Sequence, residues 1–258
     1  MTIFTDALVP HEVFTRRLAD LCLLSPAALA AARTLISRTR DVRPRGEIIS
    51  VNGAVPGARV LLSGFACRYR DDVEGRRQIT GFVLPGELCD FGFLSATPAV
   101  QAVTATAPCT LGEIASADLA GVTEQYPDVM VALLRAAAVD QNVSRELVAS
   151  LGSRSAVQRI GHLLCELHFR LGVVGGLRAE NEFELPLTQS ELGEALGLST
   201  VHVNRTLQVL RRERLVETRG RLVLLPDPEA LAKFCGFDPA YLRPASRAGA
   251  TEQRSAQG

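Results

Sequence analysis

The order of apolar and polar residues predicts helices in the first part and in the second half of the chain. Between residues 11 and 40, apolar residues recur at roughly helical spacing, and Ser25-Pro26 has the form of a helix start, with serine as the cap. The same spacing recurs from 127 to about 150 and from 155 to 171. We predict helices over these segments and a short one from 228 to 235.

Between residues 43 and 114 the pattern changes to short apolar runs that are separated by turn residues. The separators include Asn52-Gly53, Pro56-Gly57, Glu74-Gly75 and Pro85-Gly86. Several short strands at this spacing predict an antiparallel sandwich or barrel. The predicted strands are 47–51, 59–62, 65–69, 78–84, 100–105 and 110–114.

A segment in the last third of the chain carries the most specific pattern. Thr188 is placed to cap a helix, and Glu191 three residues later completes a capping box. Gly197 supplies the left-handed conformation that ends this helix, and Ser199 or Thr200 caps a second one. Two apolar runs then flank a polar turn and form a hairpin. Together these elements predict a winged helix-turn-helix.

The second helix of this motif exposes side chains that can contact DNA bases. Arg, Asn and Gln match base edges in the major groove, and residues 200–225 contain six Arg and two Glu although the formal net charge of the protein is zero. We predict that Arg205 contacts guanine and that Asn204 contacts a neighbouring adenine or the backbone. The predicted DNA-binding set is Thr188, Gln189, Ser199, Thr200, Val201, His202, Asn204, Arg205, Gln208, Arg211, Arg212, Arg219 and Arg221.

The helix that begins at Pro127 is apolar on two sides, so one side can cover its own domain and the other can meet a second chain. Small residues at 136–138 allow another helix to approach closely. We predict a homodimer joined through residues 127–151; an ordinary buried helix of a monomer is the alternative. The predicted interface consists of Met130, Leu133, Leu134, Ala137, Gln141, Ser144, Leu147, Val148 and Leu151.

Composition argues against several classes of protein. Hydrophobic residues make up 47% of the chain, which is enough to form a core. The longest uncharged run, 91–112, contains proline and several Thr and Ser, so it does not have the character of a membrane helix. No basic residue precedes the first apolar positions, which argues against a secretory signal. We expect a soluble, cytoplasmic protein without a membrane partner.

The cysteines and histidines do not form a recognisable metal or catalytic motif. The six cysteines are scattered, whereas zinc and iron–sulfur sites usually draw on close pairs or runs, so we predict free, mostly buried thiols, no metal and no cofactor. His162 and His168 lie six residues apart, and we expect them at the surface of one helix. Without a phosphate-binding loop or nucleophile elbow, an enzyme is not predicted.

These motifs resemble the cAMP receptor protein/Fnr (Crp/Fnr) superfamily of bacterial transcription regulators. Residues 187–225 are the strongest match, and residues 64–69, 75–79 and 84–88 are similar to the N-terminal barrel of the family. The resemblance implies an α+β fold: an N-terminal cyclic-nucleotide-binding-like jelly-roll β-barrel, a long dimerisation helix and a C-terminal winged helix-turn-helix. It also implies a homodimer that binds an inverted-repeat operator in double-stranded DNA, with RNA polymerase as a further partner.

The resemblance and the patterns divide the chain into four parts. Residues 1–126 are predicted as the effector-type barrel domain with flanking helices, and 127–151 as the dimerisation helix. Residues 152–243 are predicted as the DNA-binding domain and 244–258 as a disordered tail.

The effector is the open part of this interpretation. Cyclic-nucleotide binders of the family hold the phosphate with an Arg-Ser pair, and the matching positions here are about Ala99 and Val100. No Arg, Lys or His occurs from 78 through 134, so cyclic AMP is not expected. Gly86-Glu87 gives weak support for a ribose contact. We favour the interpretation that these two residues form a barrel turn with a surface carboxylate. These four residues are the candidate effector pocket.

Two further departures from the family leave the signal undecided. Iron–sulfur sensors of the Fnr type use an N-terminal run of Cys, and only Cys22 lies in that region here, so no cluster is expected. A small ligand in the barrel, a thiol switch at Cys67, Cys89 or Cys109, and control by protein abundance alone all stay open. In the recognition helix, Val201 stands where many members have Glu.

Overall fold

The computed structural model describes residues 10–53, 57–95 and 98–243; the tail predicted at 244–258 lies outside these ranges. Helices and strands alternate irregularly along the described chain, and a 3-10 helix, Pro239–Leu242, follows the last of them. The helices are α1 (Pro10–Leu21), α2 (Pro26–Thr34), α3 (Gly92–Ser95), α4 (Ser116–Gln125), α5 (Pro127–Ser153), α6 (Ala156–Val173), α7 (Gln189–Leu196), α8 (Thr200–Arg212) and α9 (Pro228–Cys235). The strands are β1 (Arg38–Val42), β2 (Glu47–Ile49), β3 (Gly57–Ser63), β4 (Ala66–Asp71), β5 (Arg77–Val83), β6 (Ala102–Ala105), β7 (Cys109–Ala115), β8 (Glu182–Glu184), β9 (Glu217–Arg219) and β10 (Leu222–Leu224).

Two antiparallel sheets form the N-terminal half, one in the order β1-β7-β3 and the other in the order β2-β6-β4-β5. Buried residues from both sheets, among them Leu61, Val83 and Leu111, form one apolar cluster between them. Each of the six predicted apolar runs overlaps a strand. The prediction of helix up to residue 40 was wrong at its end, because β1 begins at Arg38 and pairs with β7.

A second apolar cluster joins the barrel to the C-terminal helices. Phe65, Ile79 and Phe82 of the barrel are buried together with residues of α6, α7 and α8, such as Ile160 and Leu196. Burial of apolar surface across this boundary stabilises the contact between the two halves. The C-terminal helices are therefore packed against the barrel rather than joined to it only through the end of α5.

The end of the described chain returns to the junction of α1 and α5. Leu242 of the 3-10 helix is fully buried and packs with Leu21, Val139 and Val143. The side-chain amide of Asn142 donates to the carbonyl oxygen of Tyr241 over 3.4 Å. The local sequence does not predict this return, because an apolar residue near a chain end carries no signal of its distant partner. Among the described helices, none is long and apolar enough to cross a membrane.

His162 lies in the interior, so the expectation of a surface position was wrong. Its side chain packs edge-on against the ring of Phe237 and parallel to the ring of Tyr241, with centroids 5.2 and 6.1 Å apart. Burial, and then the charge of Arg154, lower the pKa of His162 to about 4, although the nearby carboxylate of Glu146 opposes the shift. His162 is therefore neutral in the folded protein at neutral pH.

We expect His162 to make the protein less stable as the pH falls from 7 to 5. The folded pKa lies below the ordinary value of 6.5, so the unfolded chain takes up the proton first, and the free energy of unfolding falls with pH until about pH 4. The loss between pH 7 and 5 should be about 1–2 kcal/mol. Chemical denaturation across this range, with wild type and His162→Gln, measures it.

The His162→Gln variant should show a shallower dependence of unfolding free energy on pH, whatever its stability at neutral pH. His202→Gln, at an exposed position, is the matched control and should keep the wild-type slope. Equal slopes for wild type and His162→Gln would contradict this assignment.

Candidate nucleic-acid interface

The first helix of the predicted helix-turn-helix, α7, has the cap that its sequence predicts. The backbone N–H of Glu191 donates to the hydroxyl oxygen of Thr188 over 3.2 Å, and the carboxylate of Glu191 accepts from the backbone N–H of Thr188 over 2.7 Å. Gly197 ends the helix with φ +64, in the left-handed region. The capping box and the terminating glycine are confirmed.

Gly193 makes the turn between the two helices tight, and the sequence analysis did not identify it. A Cβ atom at this position would lie 2.3 Å from the backbone oxygen of Leu198. The backbone N–H of Leu198 also donates to the carbonyl oxygen of Gly193 over 3.0 Å. Only the absence of a side chain at Gly193 allows this approach. The only signal in the sequence is a glycine inside a helical pattern, which is compatible with a close backbone contact at that position.

The second helix, α8, is sharply divided into a buried and an exposed side. The side chain of Ser199 caps it by accepting from the backbone N–H of His202 over 3.2 Å. Val203, Leu207 and Leu210 are buried as predicted, and they contribute to the cluster shared with α6 and α7. The same spacing of apolar residues leaves the opposite side of α8 in solvent.

Every residue of the predicted DNA-binding set is exposed. Arg205 makes no hydrogen bond or ion pair with any described residue, so its guanidinium is open to solvent. The Nε of Arg211 donates to the hydroxyl of Thr218 over 2.9 Å, which ties α8 to the following hairpin. The exposed set is Thr188, Gln189, Ser199, Thr200, Val201, His202, Asn204, Arg205, Gln208, Arg211, Arg212, Arg219 and Arg221.

The predicted hairpin is present, and a further strand completes its sheet. The order is β8-β10-β9, with Val223 opposite Phe183 of β8 and Thr218 of β9. Phe183 and Val223 are buried, so this pair anchors the sheet to the helices. In the sequence, residues 172–184 form a polar, Gly-containing segment that has the character of a loop. That interpretation is wrong at its end, because the short run of β8 becomes a strand only by pairing with β10. Gly220 makes the tight turn with φ +62.

The predicted dimer residues on α5 do not all face the same way. Leu133 is 0% exposed and packs with α1, α2 and the barrel of its own chain, so its inclusion in the interface was wrong. Leu147 is partly buried against the chain's own shared cluster. In contrast, Leu134 is 54% exposed and Val148 is 69% exposed. Both belong to a row with alternating spacings of four and three, whose other members are Met130, Ala137, Gln141, Ser144 and Leu151.

The four residues of the candidate effector pocket are not brought together. Ala99 is buried in the apolar interior of the barrel, and Val100 is 68% exposed. Glu87 is not a surface carboxylate, because its oxygens bind Arg170 of α6 at 2.6 and 3.0 Å. Gly86 and Glu87 line a narrow cleft with residues of α1, α5 and α6, and neither Ala99 nor Val100 borders it.

The cysteines proposed as a thiol switch are buried. Burial raises the pKa of the Cys67 and Cys89 thiols to about 12 and that of Cys109 to about 11. A thiol with a raised pKa is a poor nucleophile at neutral pH, so these positions do not favour a switch. In 10–53, 57–95 and 98–243, no group of His, Cys, Asp and Glu side chains is arranged to hold a metal ion.

Comparison with known proteins agrees with this geometry. Two family profiles match: a cyclic nucleotide-binding domain over residues 40–126 and a Crp-like helix-turn-helix domain over residues 158–234. The transcriptional activator protein Anr of Pseudomonas protegens is 27% identical over 226 residues, covering 85% of this chain and 90% of Anr. The fumarate and nitrate reduction regulatory protein of Escherichia coli K12 is 21% identical over 222 residues, covering 85% and 88%.

A solved structure shares the fold. FixK2 from Bradyrhizobium japonicum superimposes with a TM-score of 0.67 and 23% identity, covering 76% of this chain and 96% of FixK2. The predicted α+β fold is therefore confirmed: a cyclic-nucleotide-binding-like N-terminal domain, a long helix and a C-terminal helix-turn-helix.

We expect Gly193→Ala to destabilise the C-terminal helices, because the added methyl group would collide with the backbone at Leu198. Overpacking of this kind lowers the free energy of unfolding by about 1–3 kcal/mol. Gly152→Ala is the matched control, since nothing lies within 4 Å of its added Cβ. Denaturation of both variants checks the expectation, and equal stability of the two would contradict it.

Proposed function

We propose that this chain, which belongs to the Crp/Fnr superfamily of transcription regulators, binds an inverted-repeat operator as a homodimer and reads each half-site with α8. The observation that carries the proposal is the exposed side of α8, where Arg205 is unpaired and Arg, Asn and Gln side chains point to solvent. These side chains match base edges in the major groove, and no intramolecular partner has to be displaced before Arg205 can bind.

We assign Arg205 to the O6 and N7 atoms of a guanine, with Asn204 at a neighbouring base or the backbone. The amide of Asn204 already accepts from Gln208 over 3.0 Å, so the two side chains act as a pair. Arg211, Arg212, Arg219 and Arg221 supply charge to phosphates, and the remaining exposed positions contribute phosphate or flanking contacts. Val201 can pack on a thymine methyl but cannot accept from a cytosine amino group.

We assign the dimer contact to the exposed row of α5. Leu134 and Val148 are large apolar side chains in solvent, and their spacing along the helix suits packing against a second copy of α5. Small and polar residues between them, such as Ala137 and Gln141, allow close approach. A two-fold symmetric dimer presents its recognition helices as an inverted repeat.

Cyclic AMP is not part of the proposal. An apolar cluster occupies the barrel interior, and Ala99 takes part in it at the position where cyclic-nucleotide binders place a cation. The guanidinium that does reach Glu87 comes from Arg170 of α6, and carboxylates already occupy it. We further propose a non-catalytic protein that acts in the cytoplasm, where the chromosome is, and that contacts RNA polymerase as a regulator of this family.

We expect selection from random DNA to enrich a palindrome with wild-type protein. Arg205→Ala should cost about 1–3 kcal/mol at one base pair and flatten the preference there, because it removes a bidentate contact. Arg212→Ala is the matched control. It should weaken binding to all DNA sequences alike, and it should reduce by about one the magnitude of the slope of log K against log salt concentration. Val201→Glu should change the enriched motif. The proposal is wrong if wild-type protein enriches no palindromic DNA, or if Val201→Glu enriches the same motif as wild type.

We expect the double variant Leu134→Lys/Val148→Lys to be monomeric, because two charges in each copy would face each other across the contact. Light scattering measures the mass, and circular dichroism verifies the fold. Leu23→Lys, which changes an apolar residue that is exposed elsewhere, should stay dimeric. A folded double variant that remains a dimer would refute the assigned interface.

A further inference from the structure

We infer that a buried hydrogen-bonded network, Glu87–Arg170–Glu166–Tyr241, sets the angle of the DNA-binding helices against the barrel and thereby selects the spacing of operator half-sites. The inference rests on the proposed function, since it concerns how the two α8 helices of a dimer are held relative to each other. It assigns positioning roles to four residues that lie outside the DNA-binding face.

Arg170 is the centre of this hydrogen-bonded network, and every one of its interactions is directional. Its Nε and Nη2 donate to the two carboxylate oxygens of Glu87 over 3.0 and 2.6 Å, while Nη1 donates to Glu166 over 2.7 Å. Nη2 also donates to the carbonyl oxygen of Phe82 over 2.8 Å. Glu87 and Phe82 belong to the barrel and Arg170 to α6. A planar guanidinium bound by two oxygens of one carboxylate fixes orientation as well as distance.

The charges of the pair are maintained in the interior. Burial opposes ionisation of Glu87, but the charge and hydrogen bonds of Arg170, together with the charge of Arg17 and the backbone N–H of Leu84, hold the pKa of that carboxyl below its ordinary value. Burial likewise opposes the charge of Arg170, and Glu87 and Glu166 more than compensate, so its pKa is raised. The contact between barrel and α6 is therefore an ion pair over the physiological range of pH.

The 3-10 helix at the end of the described residues extends the hydrogen-bonded network to α5. The hydroxyl of Tyr241 donates to the free oxygen of Glu166 over 2.8 Å, and Leu242 next to it is buried among α1 and α5. Residues 236–243 lie beyond the matched helix-turn-helix range, which ends at 234. The 3-10 helix thus connects α6 to the helix that carries the proposed dimer contact.

The interruption between α5 and α6 makes this restraint matter for DNA. Arg154 and Ser155, between α5 and α6, both have extended backbone conformations, so the long helix is interrupted there. α6 is 18 residues long, about 27 Å at the ordinary rise, and a tilt of about 10° would move its far end by about 5 Å, more than one base-pair step. Arg170 lies in the last turn of α6, where a contact restrains tilting most effectively.

The apolar cluster between barrel and helices cannot fix this angle by itself. Burial of apolar area is non-directional, so it distinguishes neighbouring orientations less sharply than contacts of fixed geometry do. The ion pair and its hydrogen bonds tolerate much less motion, because a displacement of about 5 Å at the end of α6 would separate donors from acceptors that must lie within about 3.2 Å of each other. The cluster holds the two halves together, and the hydrogen-bonded network sets their orientation.

The test compares the affinity of the full-length protein for one selected half-site with its affinity for palindromes of varied half-site spacing. Wild type should prefer one spacing. Glu87→Gln should reduce that preference by about tenfold, within the range of couplings between groups in one network, and leave half-site affinity within about twofold. Tyr241→Phe, which removes one hydroxyl, should reduce the preference by about threefold. Asp72→Asn, which breaks an exposed ion pair within the barrel, should leave both unchanged.

Each outcome decides the inference. Loss of spacing preference with intact half-site binding supports it, and unchanged preference in folded Glu87→Gln and Tyr241→Phe overturns it. Loss of half-site binding in folded Glu87→Gln also overturns it, because the hydrogen-bonded network would then be needed to hold α8 itself in place. If Glu87→Gln does not fold, Tyr241→Phe decides alone. A wild type that binds half-sites without a spacing preference refutes this inference only, whereas a wild type that selects no DNA refutes the proposed function.

Discussion

The buried guanidinium of Arg170 is the constraint on which the arrangement of the two halves depends. A charge in the interior is tolerated only when its partners are close and complete, and Arg170 obtains them from the barrel through Glu87 and Phe82 and from its own helix through Glu166. If α6 moved away from the barrel, Glu87 and Arg170 would each lose a partner. The structure thus holds the C-terminal helices where these partners are complete.

The DNA-binding face follows the opposite rule, because Arg205 has no partner among the described residues and the ion pair of Arg219 with Glu217, at 4.0 Å, is exposed to solvent. The formal net charge is zero. Elsewhere in the fold, basic side chains are paired with acidic ones, as Arg68 is with Asp140. On α8 Val203, Leu207 and Leu210 face inward, so the basic and amide side chains remain in solvent together with Val201. Local separation of charge lets a neutral protein present a surface suited to phosphates and base edges.

The long helix shows how one residue step separates two roles. Leu133 and Leu134 are adjacent, yet the first is fully buried in its own chain and the second is half exposed. Successive residues on a helix point about 100° apart, so both apolar stripes were visible in the sequence. The pattern could not say which stripe faced the barrel, and the predicted interface consequently included a residue from the wrong side.

The sequence by itself determined the features that depend on neighbours along the chain. The capping box of Thr188 and Glu191, the left-handed Gly197 and the amphipathic α8 follow from contacts within a few residues, and all were predicted. Tertiary structure decided the rest. Glu87 meets Arg170 across 83 residues, His162 is enclosed by the returning chain, and β8 is a strand only beside β10. Whether a polar side chain is buried depends on partners that the fold supplies from a distance, and local sequence carries no record of them.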